Sequence, residues 1–298
     1  MKGLDRKSAI KKLKNLVFVP KAETLSFRSA LEQEFKTVIV PNNVECDRLK
    51  LGSLDYDYLV PEIFSKDRVI VYVHGGSFVG GSCKAYRSFC ASIANSSTTI
   101  VYVPEFRLAP ENPFPASIED VSRLIDSITD KEIVLMADGS GASIALACVF
   151  NMARFERKKI KEIILFSPWL DFGIDSILYT QKKTFDEILS SQDMRRSVDF
   201  YTYRSNQKTP LVSPVFASSE DLANFPSVYI QNGGDELNLQ SAKEFCHLLF
   251  KNGIQCTLDT WPNMMFMFQM ADEFVPQAHL AIEKIGMHIQ NRELLSEL

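Results

Sequence analysis

The chain has 298 residues, a formal net charge of -4 and 46% hydrophobic residues, which is typical of a globular protein with a large core. The acidic balance argues against a nucleic-acid surface, which needs a clustered excess of basic residues. No apolar run approaches the ~18 residues of a membrane span, and charges continue through Lys14, which argues against a signal peptide. We therefore expect no nucleic-acid partner and no membrane span.

The six cysteines form no CxxC pair and show no metal-ligand spacing. Several of them lie in apolar helix or strand contexts, where a free cysteine behaves as a small hydrophobic residue. We therefore expect no metal site and no cofactor, and a reducing cytoplasm is the simplest compartment. The cysteines are Cys46, Cys83, Cys90, Cys148, Cys246 and Cys256.

Short β-rich runs alternate with helix-period segments along most of the chain. The runs predicted as strands are Arg68–Val73, Thr98–Val103, Glu132–Met136, Glu162–Phe166, Ser227–Gln231 and Cys256–Trp261. Most of these runs are continuously apolar, as expected for strands covered on both faces. The segments predicted as helices are Tyr86–Ala94, Ile118–Ser127, Ser143–Arg154, Gln240–Lys251 and Pro276–Asn291. This alternation predicts an α/β fold with a mostly parallel, doubly wound sheet.

Two stretches interrupt the alternation. Residues 1 to about 40 are helical in pattern and precede the sheet, and residues 168 to about 215 form a polar and aromatic insertion between two strands. Insertions of this length inside a compact domain are usually lids or binding elements. Because the chain contains no linker, repeat or low-complexity tract, we expect a single domain over residues 1–298.

The first predicted strand runs into the sequence HGGSF, His74 to Phe78. Glycines after a strand let the backbone approach a ligand closely, and their N–H groups can point at a developing oxyanion. In lipases and esterases an HGGG-type turn supplies one side of the oxyanion hole. Gly75 and Gly76 are therefore candidate oxyanion donors.

Five further blocks resemble, in the same order, those of the hormone-sensitive-lipase-like esterases of the α/β-hydrolase fold. They are FRLAPENPFPASIEDV (106–121), SPWLD (167–171), PLVSPVFA (210–217), FPSVYIQNGGDE (225–236) and WPNMMFMFQM (261–270). The resemblance covers roughly residues 40 to 291. It implies an α/β-hydrolase fold in which residues 1–40 and 168–215 form a helical cap over a pocket.

Catalysis in that family needs a serine on a sharp strand-to-helix turn, the G-x-S-x-G elbow. The family string GDSAGG aligns without gaps with ADGSGA at residues 137–142, which puts Gly139 at the nucleophile position. Ser140 then matches the next position, whose backbone N–H completes the oxyanion hole. A shifted elbow with Ser140 as the nucleophile stays open, although it would place Asp138 where the turn needs minimal bulk.

The resemblance also implies a catalytic acid and a histidine after the fifth and sixth predicted strands. Asp235 matches the acid, but the histidine position falls on Phe266, which cannot accept a proton. The four histidines, His74, His247, His279 and His288, lie elsewhere in the chain. Because triad members act as a unit, the loss of one removes most of what the triad contributes.

Three hypotheses about function follow. The first is a catalytically silent pseudohydrolase whose capped pocket binds a small apolar or carboxylate-bearing ligand. The second is a weak carboxylesterase that uses Ser140 or an activated water molecule. The third is a protein-interaction scaffold, for which a homodimer is one candidate assembly. The intact family frame around Gly139 and Phe266 favours the first.

Overall fold

Eight strands form one sheet in the computed structural model, which describes residues 5–19, 21–35, 40–173 and 186–296. They are β1 (Val44–Leu51), β2 (Leu54–Pro61), β3 (Arg68–Val73), β4 (Ile100–Pro104), β5 (Glu132–Asp138), β6 (Ile160–Phe166), β7 (Ser227–Gly233) and β8 (Cys256–Trp261). Their order across the sheet is β1-β2-β4-β3-β5-β6-β7-β8. The first two strands are antiparallel to their neighbours, and all the others are parallel.

Two helices precede the sheet, and the others lie between the parallel strands or follow β8, as the alternating pattern predicts. The helices are α1 (Arg6–Leu13), α2 (Thr24–Phe35), α3 (Cys83–Ser97), α4 (Ala116–Ser127), α5 (Gly139–Asn151), α6 (Ser191–Tyr201), α7 (Leu239–Lys251) and α8 (Pro276–Ser296). Helix α3 packs against α8, and α4 packs against α5. The central strand β3 is buried along its whole length. The predicted α/β fold with a mostly parallel sheet is therefore confirmed, and no helix among the described residues is long and apolar enough to cross a bilayer.

The strands β1 and β2 form an antiparallel hairpin that the sequence analysis missed. Most side chains of β1 are exposed, so this strand carries no apolar run. The sequence does contain a turn residue between these two strands of eight residues. It is Gly52, which takes a φ of +61° in the structure. Short Gly-containing turns of this kind are typical of two-residue hairpins.

The two stretches predicted as a cap both contain helices and pack against each other. The Phe18 ring lies 5.3 Å from the Phe27 ring and 5.4 Å from the Phe200 ring of α6. The Arg196 guanidinium, also on α6, lies 4.9 Å from the Phe18 centroid and donates a hydrogen bond to the Ala22 carbonyl. Parts of both stretches, residues 1–4, 20, 36–39 and 174–185, lie outside the described residues.

The expectation of free thiols is wrong for one pair of cysteines. Cys246 on α7 and Cys256 at the start of β8 form a disulfide, with their Cα atoms 5.6 Å apart. The spacing of ten residues matches no sequence motif, and only the return of the chain from helix to strand brings the two together. The free cysteines of the described chain are Cys46, Cys83, Cys90 and Cys148.

We predict that Cys256→Ser lowers the free energy of unfolding by about 3 kcal/mol, because the unfolded chain loses the constraint of a short closed loop. Urea denaturation without reductant measures the difference. The matched control is Cys46→Ser, which removes a half-buried free thiol and should have a much smaller effect. Dithiothreitol should lower the stability of the wild type to that of Cys256→Ser. An equal difference with and without reductant would contradict the prediction.

Candidate active site at the strand-to-helix elbow

The turn between β5 and α5 has the geometry of a nucleophile elbow. Strand β5 ends at Asp138 and α5 begins at Gly139 with no residue between them. Gly139 takes a φ of +47°, in the left-handed region that glycine enters without cost. Its carbonyl accepts a hydrogen bond from the Trp169 backbone N–H at 2.9 Å. The apex of the elbow is therefore Gly139, the residue that the sequence alignment places there.

Phe266 lies directly in front of this apex. A Cβ atom built on Gly139 would lie 3.4 Å from Cζ of the Phe266 ring, which is van der Waals contact. The ring is buried, and its centroid lies 6.3 Å from that of Trp169. The structure thus brings together the two positions that the sequence assigns to the nucleophile and the base, and they hold a hydrogen atom and a phenyl ring.

Ser140 points toward the HGGSF turn. Its Oγ accepts a hydrogen bond from the Phe78 backbone N–H at 3.0 Å, and the side chain is buried. No histidine of the described chain hydrogen-bonds to Ser140. His74 Nδ1 lies 2.8 Å from the Gly75 carbonyl, and His288 Nε2 lies 2.9 Å from Glu162.

The predicted oxyanion donors differ in what they contact. The Gly75 N–H donates to Asp138 Oδ1 at 2.8 Å, so it is satisfied inside the protein and departs from its predicted role. Gly76 takes a φ of +105°, and a Cβ there would lie 2.3 Å from the Gly80 carbonyl oxygen. The Ser140 N–H is one of the first four of α5, which have no acceptor within the helix. Gly76 and Ser140 remain as candidate donors.

Asp138 is a buried carboxyl group that the sequence analysis considered only for its bulk. It accepts hydrogen bonds from the hydroxyls of Tyr72 at 2.9 Å and Tyr86 at 3.0 Å, in addition to the Gly75 amide. Burial raises its pKa to about 7 despite these three donors. Asp138 therefore ties together strand β3, helix α3 and the turn that faces the elbow. In the sequence, the only hint of this network is an acid next to the elbow and two tyrosines that precede it.

Asp235, the position of the triad acid, lies at the rim of the site. Its backbone N–H donates to the Met264 carbonyl at 3.1 Å, next to the loop that carries Phe266. Its Oδ2 accepts a hydrogen bond from Arg6 of α1 at 3.1 Å. The carboxylate that would orient a histidine in an active hydrolase thus pairs with a guanidinium. No pattern in the sequence predicts this pairing of Arg6 with Asp235.

The neighbouring Glu236 is buried and fixes the loop that follows β8. Its carboxyl group accepts hydrogen bonds from Ser167 Oγ at 2.7 Å and Asn232 Nδ2 at 2.6 Å. Ser167 Oγ accepts in turn from the Met267 N–H at 3.1 Å, which holds the residue after Phe266. Burial raises the pKa of Glu236 well above its usual range. Through Ser167, Glu236 therefore fixes the backbone next to Phe266.

Aromatic rings of the HGGSF turn, of the segment after β6 and of α6 cluster beside the elbow. Phe78 stacks on Tyr201 of α6 with centroids 4.1 Å apart, and it lies 5.5 Å from Phe172. The Trp169 ring lies 6.1 Å from Phe172. The indole Nε1 of Trp169 is buried and has no hydrogen-bond acceptor among the described residues. Leaving such a donor unsatisfied costs about 1–3 kcal/mol.

No group of three histidine, cysteine or acidic side chains in the described ranges could hold a metal ion. Three methionines are buried next to Phe266 in the same loop. They are Met264, Met265 and Met267. The chemistry of the site therefore rests on backbone amides, one indole N–H and apolar side chains.

The model of the alpha/beta hydrolase fold family matches residues 70–270. The chain is 26% identical to an acetyl-hydrolase of Streptomyces hygroscopicus over 228 residues, 75% of each protein. It is 28% identical to an esterase of Acinetobacter venetianus over 230 residues, 74% of each. Among solved structures, an esterase of the bacterial hormone-sensitive lipase family is similar with a TM-score of 0.85 and 24% identity, covering 96% of this chain and 97% of that one. The chain therefore belongs to the α/β-hydrolase fold family, and its fold is that of the hormone-sensitive-lipase-like esterases.

Proposed function

We propose that this protein does not hydrolyse esters through a serine–histidine pair, and that its elbow binds a small apolar ligand that carries a carbonyl or carboxylate group. The observation that carries the proposal is the position of the Phe266 ring, whose Cζ would lie 3.4 Å from a Cβ atom at residue 139. At Gly139 there is no side-chain oxygen to attack a carbonyl carbon. At Phe266 there is no nitrogen to take a proton.

The donors around the elbow support the ligand class. The Ser140 N–H lies at the positive end of the α5 dipole, which favours a carboxylate or a carbonyl oxygen. The buried Trp169 Nε1 finds no acceptor in the part of the chain that the structure describes, and a ligand oxygen would supply one. The surrounding side chains are aromatic rings and methionines, which suit a small apolar body.

Ser140 is a poor alternative nucleophile in this arrangement. Its Oγ is engaged by the Phe78 amide, and it lies one residue inside the helix rather than at the apex. A water molecule activated by Asp235 would also need a free carboxylate, but that carboxylate pairs with Arg6. Both routes are addressed by the same assay.

We predict that the wild-type protein hydrolyses p-nitrophenyl acetate and p-nitrophenyl butyrate no faster than its Ser140→Ala variant. The rate of p-nitrophenol release, compared with buffer, measures this. Asp235→Asn serves as the second comparison, because a water-based mechanism would lose its rate there. Turnover that disappears in Ser140→Ala or in Asp235→Asn would show hydrolysis and overturn the proposal.

The ligand half of the proposal is tested by thermal unfolding with sodium hexanoate, using hexylammonium chloride as the matched probe of opposite charge. We expect hexanoate to raise the melting temperature and hexylammonium to leave it unchanged. Trp169→Phe keeps the ring packing but removes the indole donor, so it should weaken the hexanoate effect. If both probes act equally, or neither acts, the elbow does not bind a carboxylate of this kind.

A further inference from the structure

The N-terminal segment, defined here as residues 5–18, is attached on two sides of the elbow. At one end the Phe18 N–H donates to Ser77 Oγ of the HGGSF turn at 3.0 Å. At the other end the Asp5 N–H donates to the Phe274 carbonyl at 3.0 Å, beyond the loop that carries Phe266. The segment therefore bridges the HGGSF turn and the region that follows the loop of Phe266, which lie on two sides of the elbow.

One side chain of this segment, Arg6, contacts three separate parts of the chain. Its Nε donates to Glu187 at 2.6 Å, its Nη1 to the Asn263 carbonyl at 2.7 Å, and its Nη2 to Asp235 at 3.1 Å. Glu187 belongs to the second stretch of the cap, and Asn263 lies in the loop of Phe266. A planar guanidinium can serve three acceptors at once in this way, whereas a lysine ammonium lacks the rigid fork.

We propose that Arg6 is a clamp that holds the N-terminal segment closed over the elbow, and that it uses the carboxylate at the triad-acid position as its anchor. In an active hydrolase Asp235 would be needed to orient a histidine. With phenylalanine at residue 266, the carboxylate is available to the guanidinium. The clamp does not depend on whether the elbow binds a ligand.

Two further features agree with the clamp. Lys12 of α1 pairs with Glu273 at 2.7 Å, so a second cation of the segment contacts the same region after β8. The side chains of Arg6, Asp235 and Glu187 are 30%, 33% and 48% exposed, so salt can reach them and screen their attraction. The clamp should therefore weaken in concentrated salt, and the elbow should then become more accessible.

The fluorescence of Trp169 reports on this closure, because its ring lies beside the elbow and is buried. The second tryptophan, Trp261, is removed by the substitution Trp261→Phe, and acrylamide quenching then probes Trp169 alone. In that background we expect Arg6→Ala to raise the Stern–Volmer constant about fivefold, because three charge-assisted contacts are lost and the open population grows. Sodium chloride at high concentration should raise the quenching of the protein that retains Arg6 and have little effect on the Arg6→Ala variant.

The matched control is Lys7→Ala, which removes an exposed cation from the neighbouring position of the same helix. It should leave quenching unchanged. Asp235→Asn and Glu187→Gln lie outside α1, so an increase in these variants cannot come from loss of the helix itself. If Arg6→Ala and Asp235→Asn quench like Lys7→Ala, there is no clamp. If Lys7→Ala quenches as strongly as Arg6→Ala, the effect belongs to general positive charge and the proposal is wrong.

Discussion

The double variant Gly139→Ser with Phe266→His is expected to hydrolyse p-nitrophenyl butyrate, whereas neither single variant does. The positive φ at Gly139 and the contact with Phe266 Cζ place a serine hydroxyl and an imidazole next to each other. A nucleophile needs an adjacent base, so both substitutions are required together. We expect a gain on the order of 10²-fold over the wild type, well short of the ~10⁶-fold that an evolved triad contributes.

The third member of the triad limits this gain, because Asp235 pairs with Arg6. Adding Arg6→Ala to the double variant should release the carboxylate and raise the rate further, while Lys7→Ala should not. Initial rates over a series of enzyme concentrations give the comparison, and Asp235→Asn in the double variant should lower the rate. A double variant that folds and remains silent would mean that residue 266 is not the position of the base.

Asp138→Ala is expected to cause the largest loss of stability of the single substitutions considered. It leaves the hydroxyls of Tyr72 and Tyr86 and the amide of Gly75 without their acceptor. Each buried donor left unsatisfied costs about 1–3 kcal/mol, so we expect a loss of about 3 kcal/mol or more in urea denaturation. Asp138→Asn keeps one acceptor oxygen and the shape of the side chain, and it should cost much less.

The same carboxyl group should make stability depend on pH. Burial raises its folded-state pKa from the ordinary 3.8 to about 7, so the folded protein holds this proton more tightly than the unfolded chain. The contribution is fully present below the unfolded pKa and is lost as pH rises through the folded pKa. Relative to Asp138→Asn, the wild type should therefore lose up to about 4 kcal/mol between these two pH values. A constant difference across that range would contradict the assignment.

Much of the fold follows from local patterns that the sequence displays openly. The apolar runs of β3, β5 and β6 are covered on both faces, and this burial makes them continuous in hydrophobicity. The hairpin of β1 and β2 was missed because an exposed edge strand needs no apolar run. Helix α5 begins at Gly139, four residues before the predicted start at Ser143, because Gly139, Ser140 and Gly141 have the composition of a loop although the elbow places them in the helix.

At the site, the motifs predict which residues stand at the catalytic positions, but not which side chains those residues contact. The alignment alone predicts that Gly139 and Phe266 stand at the nucleophile and base positions, and the structure places the Phe266 ring 3.4 Å from where a Cβ atom of residue 139 would lie. No sequence motif includes Arg6, because its partners Glu187 and Asp235 lie 181 and 229 residues away along the chain. Burial of Asp138 and the use of the Gly75 amide depend on tertiary packing in the same way. A single sequence does not show which distant segments come into contact.

The left-handed conformation of Gly139 has a consequence for how this protein can change over generations. A serine there would be strained by about 1–3 kcal/mol, and without a histidine it would confer no hydrolysis in return. A histidine at residue 266 alone would open the packing around Trp169, again without activity. Each single step is a loss, and only the pair brings a gain. If the proposed function holds, a lineage with glycine and phenylalanine at these two positions would regain hydrolysis only through both substitutions together.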